Sequence, residues 1–161
     1  MNKITKRNKN IRVYPTELTT QSLGRLQIRC VTPNMFPVEG ATVRISSPAR
    51  PDVELEELTT DVSGITPQVE LPAPPIDYSL APSDVQPYSE YNIHTMQPNY
   101  TPVSISNLQV FADVTAIQSA TMEETDDPNA QGSLFVIGPH TLWGDYPPKI
   151  AEPEINPEAE T

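Results

Sequence analysis

A chain of 161 residues with 37% hydrophobic residues has room for one ordinary core plus tails, not for two full domains. Nineteen prolines against six glycines argue for a modest core with stiffened connections and against a bundle of long helices. The net charge of −11 is unevenly spread: residues 1–50 carry nine Lys/Arg against two acids, a net +7, so the remainder carries −18 with Lys149 its only cation. An acidic whole disfavours the phosphate backbone of nucleic acid as a partner.

Residues 1–22 are read as a basic flexible arm, polar and without sustained period apart from Ile11-Arg12-Val13-Tyr14, a stretch able to add an edge strand. The arm lacks the apolar stretch, about 7–15 residues long, of a secretory signal. No later run reaches the roughly 18 apolar residues of a membrane span. The expectation is therefore synthesis in the cytoplasm, with no span and no export by the usual route.

Residues 23–122 then read as a succession of short strands. In Gly24–Thr32, Leu26, Ile28 and Cys30 alternate with Gln27 and Arg29, as a half-buried strand requires. Pro33 to Pro37 breaks that strand, and Ala41, Val43 and Ile45 begin a second one. A third is predicted over Val53–Thr60, with a bulge at Glu56-Glu57 where the alternation slips. Asp61-Val62-Ser63-Gly64 reads as a turn and Val69–Leu71 as a short strand. The proline-crowded connection Pro72–Pro87 contains Ile76, Tyr78, Leu80 and Val85, so it is expected to pack on the domain. Tyr88–Met96, Val103–Phe111 and Val114–Met122 complete a set of seven. Turn signals at about 8–12-residue spacing make this an all-β, antiparallel, seven-stranded Ig-like sandwich.

From residue 123 to 161 the chain becomes an acidic, proline-rich linker and tail, with one more strand predicted at 133–137 docking on a sheet edge. The end from Pro147, with four prolines, is expected to be extended and disordered.

Catalytic chemistry finds little support in these residues. Cys30 has no cysteine partner and shares the buried period of Leu26 and Ile28, so packing rather than nucleophilic attack is its expected role. His94 is expected on a strand surface beside a carboxylate. One Cys and two widely separated His cannot supply a structural zinc site, and Asp126-Asp127 lacks the alternating ligands of a calcium loop, so no metal or cofactor is predicted. Glu54, Glu56 and Glu57 read as a solvated strand face. Tyr78, Tyr88, Tyr91 and Tyr100 offer either stacking platforms for sugar, peptidoglycan included, or anchors for the long loop and the sandwich corners.

The order Pro37-Val38-Glu39-Gly40-Ala41-Thr42-Val43, Leu58-Thr59-Thr60-Asp61-Val62-Ser63-Gly64, Leu71-Pro72-Ala73-Pro74 and Gln97-Pro98-Asn99-Tyr100 resembles carboxypeptidase-regulatory-like domains, a prealbumin-like sandwich family. Leu71–Tyr91 and His140–Ile150 are similar to the N-terminal propeptide region of clostridial spore cortex-lytic enzymes. The lytic region that follows in those precursors has no counterpart here, so no catalytic residue carries over. The resemblance implies a propeptide-like interaction or regulatory protein of the developing spore, with a cortex-lytic enzyme as its protein partner. It places the candidate partner-binding residues at Tyr78, Asp84, Tyr88, Tyr91, His140, Trp143 and Tyr146. A peptidoglycan-binding module and a structural spore-coat or appendage subunit are the alternatives, and oligomeric state is left open. Two active relatives of the fold fail on composition. A hydroxyisourate hydrolase resembling transthyretin needs a terminal Tyr-Arg-Gly-Ser, whereas this chain ends Pro157-Glu-Ala-Glu-Thr161. Pilin-like sandwiches with internal Lys–Asn bonds need a lysine within a strand, and Lys3, Lys6, Lys9 and Lys149 all lie in the tails.

Overall fold

A computed structural model describes residues 22–81 and 85–139. The first alternating segment forms β1 (Ser22–Val31), whose Leu26, Ile28 and Cys30 are fully buried. It is followed by β2 (Thr42–Ser47), β3 (Arg50–Thr59), β4 (Val69–Ala73), β5 (Ser89–Met96), β6 (Val103–Val110), β7 (Thr115–Thr121) and β8 (Ser133–Val136). The long proline-rich connection holds one short helix, α1 (Asp77–Leu80).

Two sheets result, one of three strands in the order β4-β1-β7 and one of five in the order β3-β2-β5-β6-β8. Their inner faces meet in one core in which Leu26, Ile28 and Leu71 face Val43, Ile45, Ile93 and Val110. Each contributing strand alternates buried with less buried positions, because successive side chains leave a pleated strand on opposite faces.

The structure corrects the expected architecture in two respects. The described residues form eight strands rather than seven, and the sheets are mixed rather than antiparallel, since β1 runs parallel to β7 and β6 parallel to β8. Both parallel pairs follow from how the chain returns. After β6 it turns a corner at Phe111–Val114, with Asp113 at φ 59°, and enters the other sheet running in the direction of β1. The connection 122–132 then carries it back to the starting end of β6, where β8 pairs in the same sense.

Two irregularities were displaced or unseen in the sequence. The β3 bulge falls at Leu55 instead of Glu56-Glu57: Ile45 pairs with Glu56 and Ser46 with Glu54, leaving Leu55 as the extra residue. In β6, Ile105 and Leu108 are both buried although three positions apart. The register with β5 shifts between Tyr91 and Ile93, Asn107 takes φ 61°, and its N–H donates to Asn92 Oδ1 at 3.1 Å. That bulge returns Leu108 to the core side.

Candidate functional site

Across the outer face of the five-stranded sheet, the register aligns Glu57, Arg44, His94, Ser104 and Leu134 in one row. Arg44 Nε lies 2.9 Å from Glu57 Oε2 and 3.2 Å from Glu54 Oε2, so two acids of β3 hold its guanidinium. All three side chains are about half exposed, which makes this pairing worth little to stability.

His94, expected beside a carboxylate, instead has Ser104 Oγ 2.7 Å from its Nδ1. Burial first and the Arg44 charge second hold its pKa below the ordinary 6.5. The unfolded chain therefore takes up the proton first as pH falls. The stabilisation is complete above about pH 6.5 and is lost as pH drops through the folded value. The thermal midpoint of the protein should fall between about pH 7.5 and 5.5, and His94→Gln should reduce that fall. Equal slopes in the two proteins would reject this assignment.

The sheet ends on one side at β3, whose Asp52, Glu54, Glu56 and Glu57 place charge along the edge, an arrangement that opposes pairing with another strand. The other end is different. β8 carries no charge, and Leu134 (65%), Phe135 (55%) and Val136 (65%) are all largely exposed. Pairing with β6 turns Leu134 and Val136 to the outer face and Phe135 toward the opposite sheet. The N–H groups of Ser133 and Ile137 donate to Pro102 and Ser106 carbonyls at 2.9 and 3.0 Å. By the same alternation the N–H groups of Leu134 and Val136 point out from the edge.

A cleft of about 480 Å³ opens where the β5–β6 turn meets the segment before β8. Gln97, Asn99, Tyr100, Asp126 and Asp127 line it, and the Tyr100 ring also packs against the core. Nothing in its local sequence pattern revealed the cleft, because its two walls are about 25 residues apart and meet only through the bridge of Tyr100 with Glu124.

The residues singled out from the sequence do not form one surface. Tyr88 and Tyr91 are only 2% and 5% exposed, which takes both rings out of reach of a partner. Tyr88 packs on Phe111 with ring centroids 5.4 Å apart, and the Tyr91 hydroxyl donates to the Pro72 carbonyl at 2.6 Å, tying the end of β4 in one sheet to β5 in the other. Both rings anchor the sandwich from within. Tyr78 sits half-buried on α1. Asp84, His140, Trp143 and Tyr146 lie outside the described residues. The strand expected at 133–137 on a sheet edge is present as β8; what the sequence did not reveal is that Leu134, Phe135 and Val136 stay exposed there.

Chemistry within the described residues is quiet. Every buried side-chain polar atom there has a hydrogen-bond partner, and no three His, Cys, Asp or Glu side chains come together to hold a metal ion. No helix among them is long and apolar enough to cross a membrane. Burial pushes the Cys30 thiol up to about 11 and leaves it no solvent exposure. A thiol reagent at neutral pH should therefore label Cys30 only at the rate of unfolding; rapid labelling of the native protein would contradict its burial.

No family model and no curated protein matches this chain. Among solved structures it is similar to the Bacillus anthracis TIE protein, at 18% identity and TM-score 0.44, over 64% of this chain and 17% of that one. It is also similar to GBS52, the minor pilin of Streptococcus agalactiae, at 13% identity and TM-score 0.46, over 68% of this chain and 48% of that one. The chain thus spans less than half the length of either. Neither the carboxypeptidase-regulatory-like nor the cortex-lytic likeness has a counterpart in these matches. The described residues contain no lysine, so no Lys–Asn bond of the pilin kind can form within them.

Proposed function

We propose that this chain is a non-catalytic structural or interaction module that receives a protein partner on the β8 edge. The observation that carries this reading is the exposed, uncharged run Leu134-Phe135-Val136 on a strand whose outward backbone groups are open to pairing. Such an edge gives main-chain hydrogen bonds to an added strand, while its apolar side chains supply the buried area. The opposite edge, acidic along β3, does not offer this.

The finer reading, from the likeness of Leu71–Tyr91 and His140–Ile150 to propeptide segments, is that the partner is a spore peptidoglycan hydrolase. Mixing the intact protein with such a hydrolase should give a complex that Leu134→Asp/Val136→Asp weakens at least about tenfold. Absence of a complex, and of any change in the enzyme's folding yield or activity, would reject the hydrolase. A complex indifferent to the double substitution would reject the edge. A structural appendage subunit would use the same edge for its own copies, and light scattering at rising concentration distinguishes that outcome by growth of polymers.

One observation favours sugar as a second reading: Tyr100 stands in the cleft beside Asn99 and Asp126, an aromatic face with hydrogen-bonding groups around it. Retention on purified cortex that Tyr100→Ala abolishes would support it, and lack of retention would remove it.

A further inference from the structure

The two sheets are unequal in width. β7 packs across from β6, so β8, one place farther out in the five-stranded sheet, has no described strand opposite it. Phe135, on that inner side, stays 55% exposed. Leu134 and Val136, on the outer side, are each 65% exposed, and their N–H and C=O groups point away from β6. Such an edge is a template for pairing with another chain unless something blocks it.

The described strands at sheet edges are β3, β4, β7 and β8. β3 carries Asp52, Glu54, Glu56 and Glu57, and β4 carries Glu70 and Pro72, which has no N–H to donate. In a chain of net charge −11, two copies meeting at either would set like charges together. β7 is uncharged, but Thr115, Ser119 and Thr121 flank Ile117 on its outer face, so little apolar area would be gained there. The span from Pro128 to Pro139 holds no charge, and β8 within it presents apolar side chains on both faces. β8 is therefore the edge at which a like-charged copy meets least repulsion and buries most.

The span also reads alike in both directions. Gly132-Ser133-Leu134-Phe135-Val136-Ile137-Gly138 has glycine at each end and Phe135 at its centre. We propose that β8 pairs antiparallel with β8 of a second copy of this chain, about a two-fold axis at Phe135, joining the two five-stranded sheets into one. The proposal rests on the reading of β8 as a docking edge and names its occupant when no other partner is present. In this register Leu134 lies opposite Val136 of the second copy, the two exchange both main-chain hydrogen bonds, and the axis repeats the exchange. Phe135 faces its own copy as a non-hydrogen-bonded pair with Cα atoms about 4.5 Å apart, which brings the two rings together on the inner side. A shifted register would set Val136 against Gly132 or Leu134 against Gly138 and lose apolar contact. Because both copies use the same edge, the pairing closes at a dimer. A strand pair this short buries less than the roughly 1,200 Å² of stable complexes, so the dimer forms in the micromolar range.

Sedimentation of the intact chain between about 1 and 500 µM should show monomer giving way to dimer with nothing larger, and Leu134→Asp/Val136→Asp should weaken the dimer at least about tenfold. Mild oxidation reads the register. Phe135→Cys should link two copies, because Cα atoms about 4.5 Å apart suit a disulfide, whereas Leu134→Cys, about 7–8 Å from its own copy, should not. The native Cys30, with no solvent exposure, does not compete. Monomer at every concentration with no link in Phe135→Cys overturns the self-pairing. The docking edge is then judged separately, by whether Leu134→Asp/Val136→Asp weakens the hydrolase complex. A dimer indifferent to the double substitution, or one that links as readily through Leu134→Cys, also overturns the proposal. Growth beyond the dimer shows head-to-tail contact and overturns the two-fold.

Discussion

Gly64→Ala should destabilise the protein by at least about 3 kcal/mol, near the upper end of single-residue effects. Gly64 has φ +73°, a conformation that L side chains rarely adopt, and strain of that kind alone costs about 1–2 kcal/mol. The larger part comes from what surrounds it. A methyl group there would be driven into the Cys30 carbonyl oxygen and would sit 3.0 Å from Val38 N and 3.1 Å from Pro37 Cα. All three belong to backbone that cannot step aside cheaply. Cys30 N–H donates to Gly64 O at 2.8 Å, and Cys30 O accepts from Val38 N–H at 3.0 Å, so moving either strand breaks bonds that join the 61–65 turn to β1. Gly40→Ala is the matching control. Its φ is +74°, yet the added methyl would meet only the Gln97 side-chain amide, 3.5 Å away. Chemical denaturation of the two variants isolates the clash. Equal losses would show that the turn can withdraw from β1, contrary to the packing described.

Thr60→Val, nearly isosteric, is expected to cost about 3 kcal/mol through hydrogen bonding alone. Thr60 is 4% exposed. Its hydroxyl donates to Val38 O at 2.7 Å and accepts from Ala41 N–H at 2.8 Å. Its backbone also exchanges bonds with Gly40 and Ala41 at 3.0 Å, so the residue closes the turn between the first strand and β2 onto the end of β3. Valine fills the same space but leaves Ala41 N–H, in a fully buried residue, without its acceptor. Thr60→Ser retains both bonds and should lose much less. A thermal midpoint for Thr60→Val within a degree or two of Thr60→Ser would mean that the hydroxyl is replaceable, for instance by water reaching Ala41.

Local period carried the strands well. Leu26, Ile28 and Cys30, or Tyr91 and Ile93, alternate in the sequence as they do in the sheet, because a pleated strand alternates whatever it pairs with. Where a bulge intervenes the alternation misleads. Ile105 and Leu108 share a face only because Asn107 accepts a left-handed conformation, and nothing in the spacing told which strand holds the extra residue. The tyrosines show a second limit. An aromatic ring serves a core or a surface equally well, and the placement of Tyr88 on Phe111 and of the Tyr91 hydroxyl on Pro72 depends on residues about 20 positions away.

By itself the sequence determined an all-β chain, the approximate limits of most strands, the burial of Cys30 and the uneven charge of its two ends, since each depends on local alternation or on composition. Only the tertiary structure decided that β7 pairs in parallel with β1 and β8 with β6, that the described sheets hold three and five strands, and that the apolar side chains of the edge strand at 133–136 stay exposed. Those outcomes rest on which strands become neighbours. Neighbour choice is set by the path of the connections and the area each face can bury, and neither is written in the period of any one segment.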